Sequence, residues 1–180
     1  MKITISGTPG SGKSTVAKKL AEKLGFRHFS AGDFQRDLAK EKGVSPLELS
    51  KMAEADPEID KKTDSWAEAV GEADDNFVMD SRLAFNFIPD SVKVFLDVSE
   101  DEAARRIFHA MRPEEKENTT QGKTYESIKE REESEKKRYE QYYGIDYTNP
   151  DNYDLAIDTT EKPVHEVVNE ILKFIREREL

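Results

Sequence analysis

The sequence predicts an α/β protein: a five-stranded parallel sheet covered by helices on both faces, built as a single domain over residues 1–180. Three observations lead there. Five short apolar runs (Ile3 to Ile5, Arg27 to Phe29, Phe77 to Met79, Val92 to Val98, Leu155 to Ile157) alternate with stretches of helical periodicity, and that alternation belongs to parallel sheets whose crossovers are helices. The glycine-rich string Gly7-Thr8-Pro9-Gly10-Ser11-Gly12-Lys13-Ser14 follows the first run directly. A chain of 180 residues, 36% hydrophobic and without cysteine, is long enough for one well-buried core and builds it without disulfides.

Taken in order, the first run leads into a loop that satisfies G-x-x-x-x-G-K-[ST] and opens into a helix, the setting in which this spacing forms a P-loop. Consecutive backbone N–H groups of such a loop point at an anion, and the helix N-terminus adds roughly half a positive charge. Gly7 to Ser14, with Thr15, are therefore the candidate ATP-binding residues. Lys13 would span the outer phosphates and Ser14 would ligate Mg²⁺. The fold expected is that of the P-loop NTPases.

The helix from Lys13 to Leu24 places Val16, Ala17, Leu20, Ala21 and Leu24 on one face and stops at Gly25. After the second strand, residues 32–74 are helical in propensity with no strand, a small lobe over the C-terminal edge of the sheet, where ligands collect in open α/β folds. The third run ends in Asp80, with Arg82 two residues on. Residues 112–124 are polar and aperiodic and read as a mobile lid. A helix from about Tyr125 to Tyr143 follows, and the last helix, after Pro163, carries Val164, Val167, Val168, Ile171, Leu172 and Ile175 on one stripe. The core is thus expected over 1–31, 75–111 and 144–180.

The net charge of −10 opposes a broad nucleic-acid face, which needs basic stripes. A small phosphorylated ligand remains compatible if arginines converge in one cleft. No apolar run reaches the ~18 residues of a membrane span, and Met1-Lys2 leads straight into a strand without a hydrophobic leader, so a cytoplasmic protein is expected, as a monomer and without membrane or nucleic-acid partners. His28, His109 and His165 share no metal-ligand spacing and read as surface or core fillers. Trp66, Tyr142 and Tyr143 read as packing.

Phosphoryl transfer needs cations converging on the migrating group. Arg36, on the helix after the second strand, would lie beside the P-loop. Asp80 at its strand end can hold Mg²⁺ through water opposite Ser14. On the helix from Tyr125, a rotation of 100° per residue brings Arg131, Glu135 and Arg138 within roughly 60° of one another, beside the apolar stripe. The alternative for that patch is a structural salt bridge through Glu135. Arg105, Arg106 and Arg112 flank the start of the lid, where closure could bring a guanidinium over phosphates or a base.

The ordered set Gly7 to Ser14, Ser30-Ala31-Gly32-Asp33-x-x-Arg36, Asp80-x-Arg82, Arg106 before a lid, and Arg131-x-x-x-Glu135-x-x-Arg138 resembles the nucleoside monophosphate kinases. More narrowly, Asp56-Pro57-Glu58-Ile59-Asp60, the segment Arg131 to Tyr139, Tyr143-Gly144-Ile145-Asp146 and Tyr153 to Thr159 resemble the archaeal-type cytidylate kinases, over nearly the whole chain. Ser81 stands where these kinases commonly carry glycine. The resemblance implies Mg²⁺-dependent transfer of the ATP γ-phosphate to CMP or dCMP. It implies substrate-binding roles for Ser30, Gly32, Asp33, Arg36, Arg82, Arg131, Glu135 and Arg138, the lobe of residues 32–74 holding the acceptor. Lys13, Arg112, Arg131 and Arg138 would be catalytic, Arg106 would lie against adenine, and Asp33 and Asp80 would organise water around the metal. Alternatives are a P-loop kinase for another monophosphate or small metabolite, or a nucleotide-switch binding module.

Overall fold

The computed structural model describes residues 1–110 and 119–178. Five strands, β1 (Lys2–Gly7), β2 (Arg27–Ser30), β3 (Phe77–Asp80), β4 (Val92–Asp97) and β5 (Leu155–Asp158), form one sheet in the order β2-β3-β1-β4-β5. Every pairing is parallel, with Ile5 opposite Asp80 on one side and Val94 on the other. The fold class and all five strands read from the sequence are present; β4 stops one residue before Val98.

Alternation along β1 separates two layers. Ile3 and Ile5 enter a core with Val16, Leu20, Ile171 and Ile175 from α1 (Lys13–Leu24) and α8 (Val164–Arg178). Burying each such side chain is worth about 1.5–3 kcal/mol. Thr4 and Ser6 face the other way and are satisfied there, Thr4 by Ser91 Oγ at 2.9 Å and Ser6 by donating to the Arg82 carbonyl at 2.7 Å. That second layer holds Phe77, Met79 and Ala84 against Ala67, and Leu83 and Phe95 against Tyr139 and Tyr147.

Residues 32–74 lack a strand, as expected, and fold into α2 (Ala31–Lys42), α3 (Pro46–Ala53) and α4 (Glu58–Ala73). Their own small core joins Leu38, Leu49, Ala53 and Ile59. The start of α3 is fixed by Pro46 in its first turn and by a capping box in which the Ser45 hydroxyl accepts from the Glu48 N–H and Glu48 accepts from the Ser45 N–H. A short α5 (Ala84–Phe87) precedes β4, and α6 (Glu100–His109) follows it.

The long helix α7 runs Gln121–Tyr143, four residues longer at its start than its periodicity indicates. Thr120 caps it, its hydroxyl accepting from the Lys123 N–H at 3.2 Å, so residues 121–124 are helical. Such a cap acts through one local hydrogen bond and leaves no trace in apolar spacing. Residues 112–118 of the expected lid, Arg112 among them, lie outside the described residues.

Candidate active site

The loop between β1 and α1 is held by close backbone approach. A Cβ on Gly7, whose φ is +147°, would stand 2.0 Å from the Leu96 carbonyl oxygen, and one on Gly10 (φ +78°) would stand 2.7 Å from the Ala103 Cα. Both positions accept only glycine. The loop therefore wedges between β4 and α6 at the carboxyl end of the central strand, where open α/β sheets bind ligands.

A cleft of about 510 Å³ opens there, lined by Pro9 to Thr15 on one side and by Gly32, Gln35, Arg36, Leu47 and Asp64 of the helical lobe on the other. Lys13 Nζ donates to the Gly7 and Thr8 carbonyls at 2.9 and 2.7 Å. Burial, reinforced by the neighbouring Arg82 charge, pushes its ammonium well below the usual lysine range, against the pull of Glu135 and Asp80. An anion brought into this loop would relieve both effects.

Asp80 is a hub. One carboxyl oxygen accepts from Ser14 Oγ at 2.7 Å and Ser30 Oγ at 3.0 Å, and the other lies 2.6 Å from His28 Nε2. Burial alone would raise its pKa, and the bonds from His28, Ser14 and Ser30 hold it below the usual carboxylate range. His28 is thus no filler. Period-2 alternation puts it on the same face as Ser30, and the parallel register sets Ser30 beside Asp80. The sequence carried the alternation; the register came only with the fold.

A second hub is Glu135 on α7. It accepts from Arg82 Nε at 2.8 Å and Arg131 Nε at 3.1 Å, while Arg82 Nη1 also donates to the Gly7 carbonyl at 2.9 Å. Arg82, Arg131 and Glu135 all line the cleft between the P-loop and the lobe. Burial works against the Glu135 charge, yet Arg82 and Arg131 bring its pKa down to about 2. A folded-state pKa below the ordinary 4.5 stabilises the fold above pH 4.5, and that stabilisation fades as pH falls toward 2. We expect Glu135 to account for about 3 kcal/mol of the acid loss of stability. Urea titrations between pH 5 and 2.5 check this: Glu135→Gln should be less stable at pH 5 and flatter below it.

Three sequence-derived site residues are engaged by structural partners. Arg138 is 3% exposed; it does not line the main cleft but a small recess shared with Arg36, Arg131 and Glu135. Its Nε and Nη2 donate to Asp60 at 2.7 and 3.3 Å, and its Nη1 to Ser50 and Ser134, so it ties α7 to α3 and α4. It makes no hydrogen bond to Glu135, because its guanidinium points into the lobe toward Asp60 and Ser50. Asp33 is exposed and pairs with Arg36 along α2. Ser30 is spent on Asp80 and on capping α2 through the Asp33 N–H, not on the cleft.

Arg106 lines the cleft beside the loop. It donates to Glu102 at 2.8 Å, to the Thr159 carbonyl at 2.7 Å and to the Thr160 carbonyl at 3.1 Å, bracing α6 against the segment after β5. Glu102 belongs to no motif, and Thr159 ends the segment from Tyr153 that carries the family resemblance without that segment assigning it a role. Trp66 packs by stacking on Phe34, with ring centroids 5.0 Å apart, and Tyr142 donates to the Ala53 carbonyl.

Ser14 and Asp80 offer hard oxygen donors, the kind Mg²⁺ takes, and among the described residues no group of three acidic, histidine or cysteine side chains forms a cage. That suits an ion which keeps waters and binds phosphates alongside one or two protein oxygens. Among the described residues no helix is long and apolar enough to cross a membrane.

Comparison with known proteins agrees with this geometry. A cytidylate kinase from Natronomonas pharaonis is 42% identical over 161 residues, covering 88% of this chain and 81% of its own. An S-adenosylmethionine-dependent nucleotide dehydratase from Lacinutrix mariniflava is 38% identical over 173 residues; the match takes in 96% of this chain but only 35% of that protein. Shikimate kinase from Aquifex aeolicus shares the fold, with a TM-score of 0.60 at 22% identity, over 100% of this chain and 99% of that one. The profile of the cytidylate kinase-like family matches residues 2–161. The chain belongs to the cytidylate kinase-like family and is a nucleotide kinase.

Proposed function

We propose that this protein transfers the γ-phosphate of ATP to CMP or dCMP, giving ADP and the corresponding diphosphate. The observation that carries the reading is the continuity of one cleft from the P-loop to the helical lobe, with Arg82 and Arg131 held by Glu135 where the two halves meet. ATP occupies the P-loop side, its outer phosphates met by Lys13 and its adenine near Arg106. The acceptor occupies the side of residues 32–74, its phosphate between Arg36, Arg82 and Arg131.

Mg²⁺ would be held by Ser14 directly and by Asp80 through water, and when bound it supplies charge neutralisation on the phosphate oxygens. His28 and Ser30 keep Asp80 ionised and oriented for that task. Glu135 aims two guanidinium groups, and Arg82 is further fixed by donating to the Gly7 carbonyl of the P-loop. Catalysis is positioning plus charge stabilisation, with Arg112 supplied from the lid and water excluded as the lobe closes.

An ADP-release assay over CMP, dCMP, UMP, AMP and shikimate tests this. CMP and dCMP should stimulate turnover well above basal hydrolysis, and stimulation by another acceptor alone would reassign the substrate. In the same assay Arg36→Ala should raise the acceptor KM by about tenfold or more while leaving the ATP KM within about twofold. Equal effects on both substrates would place Arg36 outside the acceptor site.

A further inference from the structure

The wall of the cleft formed by α4 carries polar side chains that no phosphate contact accounts for. Asp60, Thr63 and Asp64 all line it, three and four residues apart and so on one helix face. Asp60 is already engaged, both of its oxygens accepting from Arg138. Thr63 is different: it is 4% exposed, and its Oγ1 has no hydrogen-bond partner. A buried hydroxyl left so is costly, about 1–3 kcal/mol, and such groups are rare unless a ligand or water completes them.

Asp64, the next residue, accepts the Tyr143 hydroxyl at Oδ2, and no described residue donates to its Oδ1. Burial raises this carboxyl to about 7; the Tyr143 bond and the Arg138 charge on α7 lower it, and Asp60 raises it further. An open acceptor oxygen and an unsatisfied hydroxyl therefore both belong to residues on the α4 wall of the cleft, with Leu47 and Gln35 on the same lobe.

Building on the acceptor assignment above, we infer that Thr63 and Asp64 read the base of the acceptor, Asp64 Oδ1 accepting from an exocyclic amino group and the Thr63 hydroxyl bonding the adjacent ring nitrogen. The two residues differ in what they discriminate. A hydroxyl donates to the bare N3 of cytosine or accepts from the N3–H of uracil, so Thr63 tolerates both. A carboxylate accepts only, so it pairs with the 4-amino group of cytosine and repels the 4-oxo group of uracil. Base choice thus resides in Asp64, and Thr63 contributes affinity common to both pyrimidines. Tyr143 orients the carboxylate by occupying its other oxygen.

The test is kcat/KM for CMP and UMP, with melting temperature as the check on folding. Asp64→Asn should lower the CMP:UMP ratio on the order of 10²-fold, because its amide can donate to the 4-oxo group. Thr63→Val should raise KM for both nucleotides by about tenfold, keep their ratio, and leave the melting temperature unchanged or higher. Tyr143→Phe separates reading from packing: at pH 9, where Asp64 is kept ionised, it should keep most of the ratio, and a loss there equal to that of Asp64→Asn would overturn the proposal. If Asp64→Asn fails to fold, the wild-type enzyme decides, since its CMP:UMP ratio should fall as the pH drops from 8.5 through about 7 and the carboxyl gains a proton. A ratio that is flat across that range, or unmoved in folded Asp64→Asn, overturns the base-reading role while CMP turnover stands. A wild-type enzyme that phosphorylates neither CMP nor dCMP overturns the acceptor assignment as well.

Discussion

Lys13→Ala should lower kcat by about a thousandfold without unfolding the protein. Removing one preorganised charge stabiliser from a water-excluded site costs about 10²–10³ in rate, and in phosphoryl transfer such stabilisation is most of what the protein supplies. The second half of the expectation comes from the structure. The Lys13 ammonium is half-buried, is held by two carbonyls, and sits beside Arg82 with its pKa depressed. A folded-state pKa below the ordinary 10.5 means that the charged form is less favourable in the fold than in the unfolded chain. At every pH below that ordinary value the charge therefore costs stability. Lys13→Ala should melt at the same temperature as the parent or slightly above it, as thermal denaturation followed by circular dichroism will read. A melting temperature lowered by several degrees would mean that Lys13 serves the fold, and a kcat within tenfold of the parent would remove it from the chemistry.

Arg138→Ala should do the reverse. Its guanidinium and the Asp60 carboxylate are both 3% exposed, and losing one partner leaves the other charge buried alone. That costs about 3–5 kcal/mol, a fall in melting temperature of about 10 °C at 2–4 °C per kcal/mol for a chain of this size. Three helices would loosen together, because Arg138 also donates to the Ser50 carbonyl of α3 and to Ser134 of its own helix. Below its melting temperature the variant should keep kcat within a few-fold of the parent. A large loss of kcat with unchanged stability would return Arg138 to the catalytic set. The double variant Asp60→Asn with Arg138→Leu should recover part of the stability, since neither buried charge is then left unpaired.

Arg138 and Glu135 show how far a helical wheel reaches. Periodicity put both on the inner face of α7, and both are buried there. It could not say which neighbour each would meet, because that depends on how α7 lies across α3, α4 and the β1 loop. Three residues of separation, a rise of about 4.5 Å, send one side chain to the Arg82 side and the other into the lobe. Asp33 likewise meets a partner that lies one turn along its own helix, Arg36.

Local physics sufficed for the fold class, the five strands, the strandless segment from 32 to 74, and the P-loop, whose glycines, lysine and serine stand in a fixed order behind an apolar strand. Those features depend on neighbours within a few positions, so the chain states them directly. What only the tertiary structure decided is which distant groups meet on one carboxylate. The register of parallel strands brings His28 and Ser30 to Asp80, the start of α1 adds Ser14, and Arg82 reaches the Glu135 of α7. Arg131 and Glu135 pair at i, i+4 within one helix, which spacing anticipates, but Arg82 reaches Glu135 across 53 residues and His28 reaches Asp80 across 52, and no spacing rule within one helix or strand can encode those.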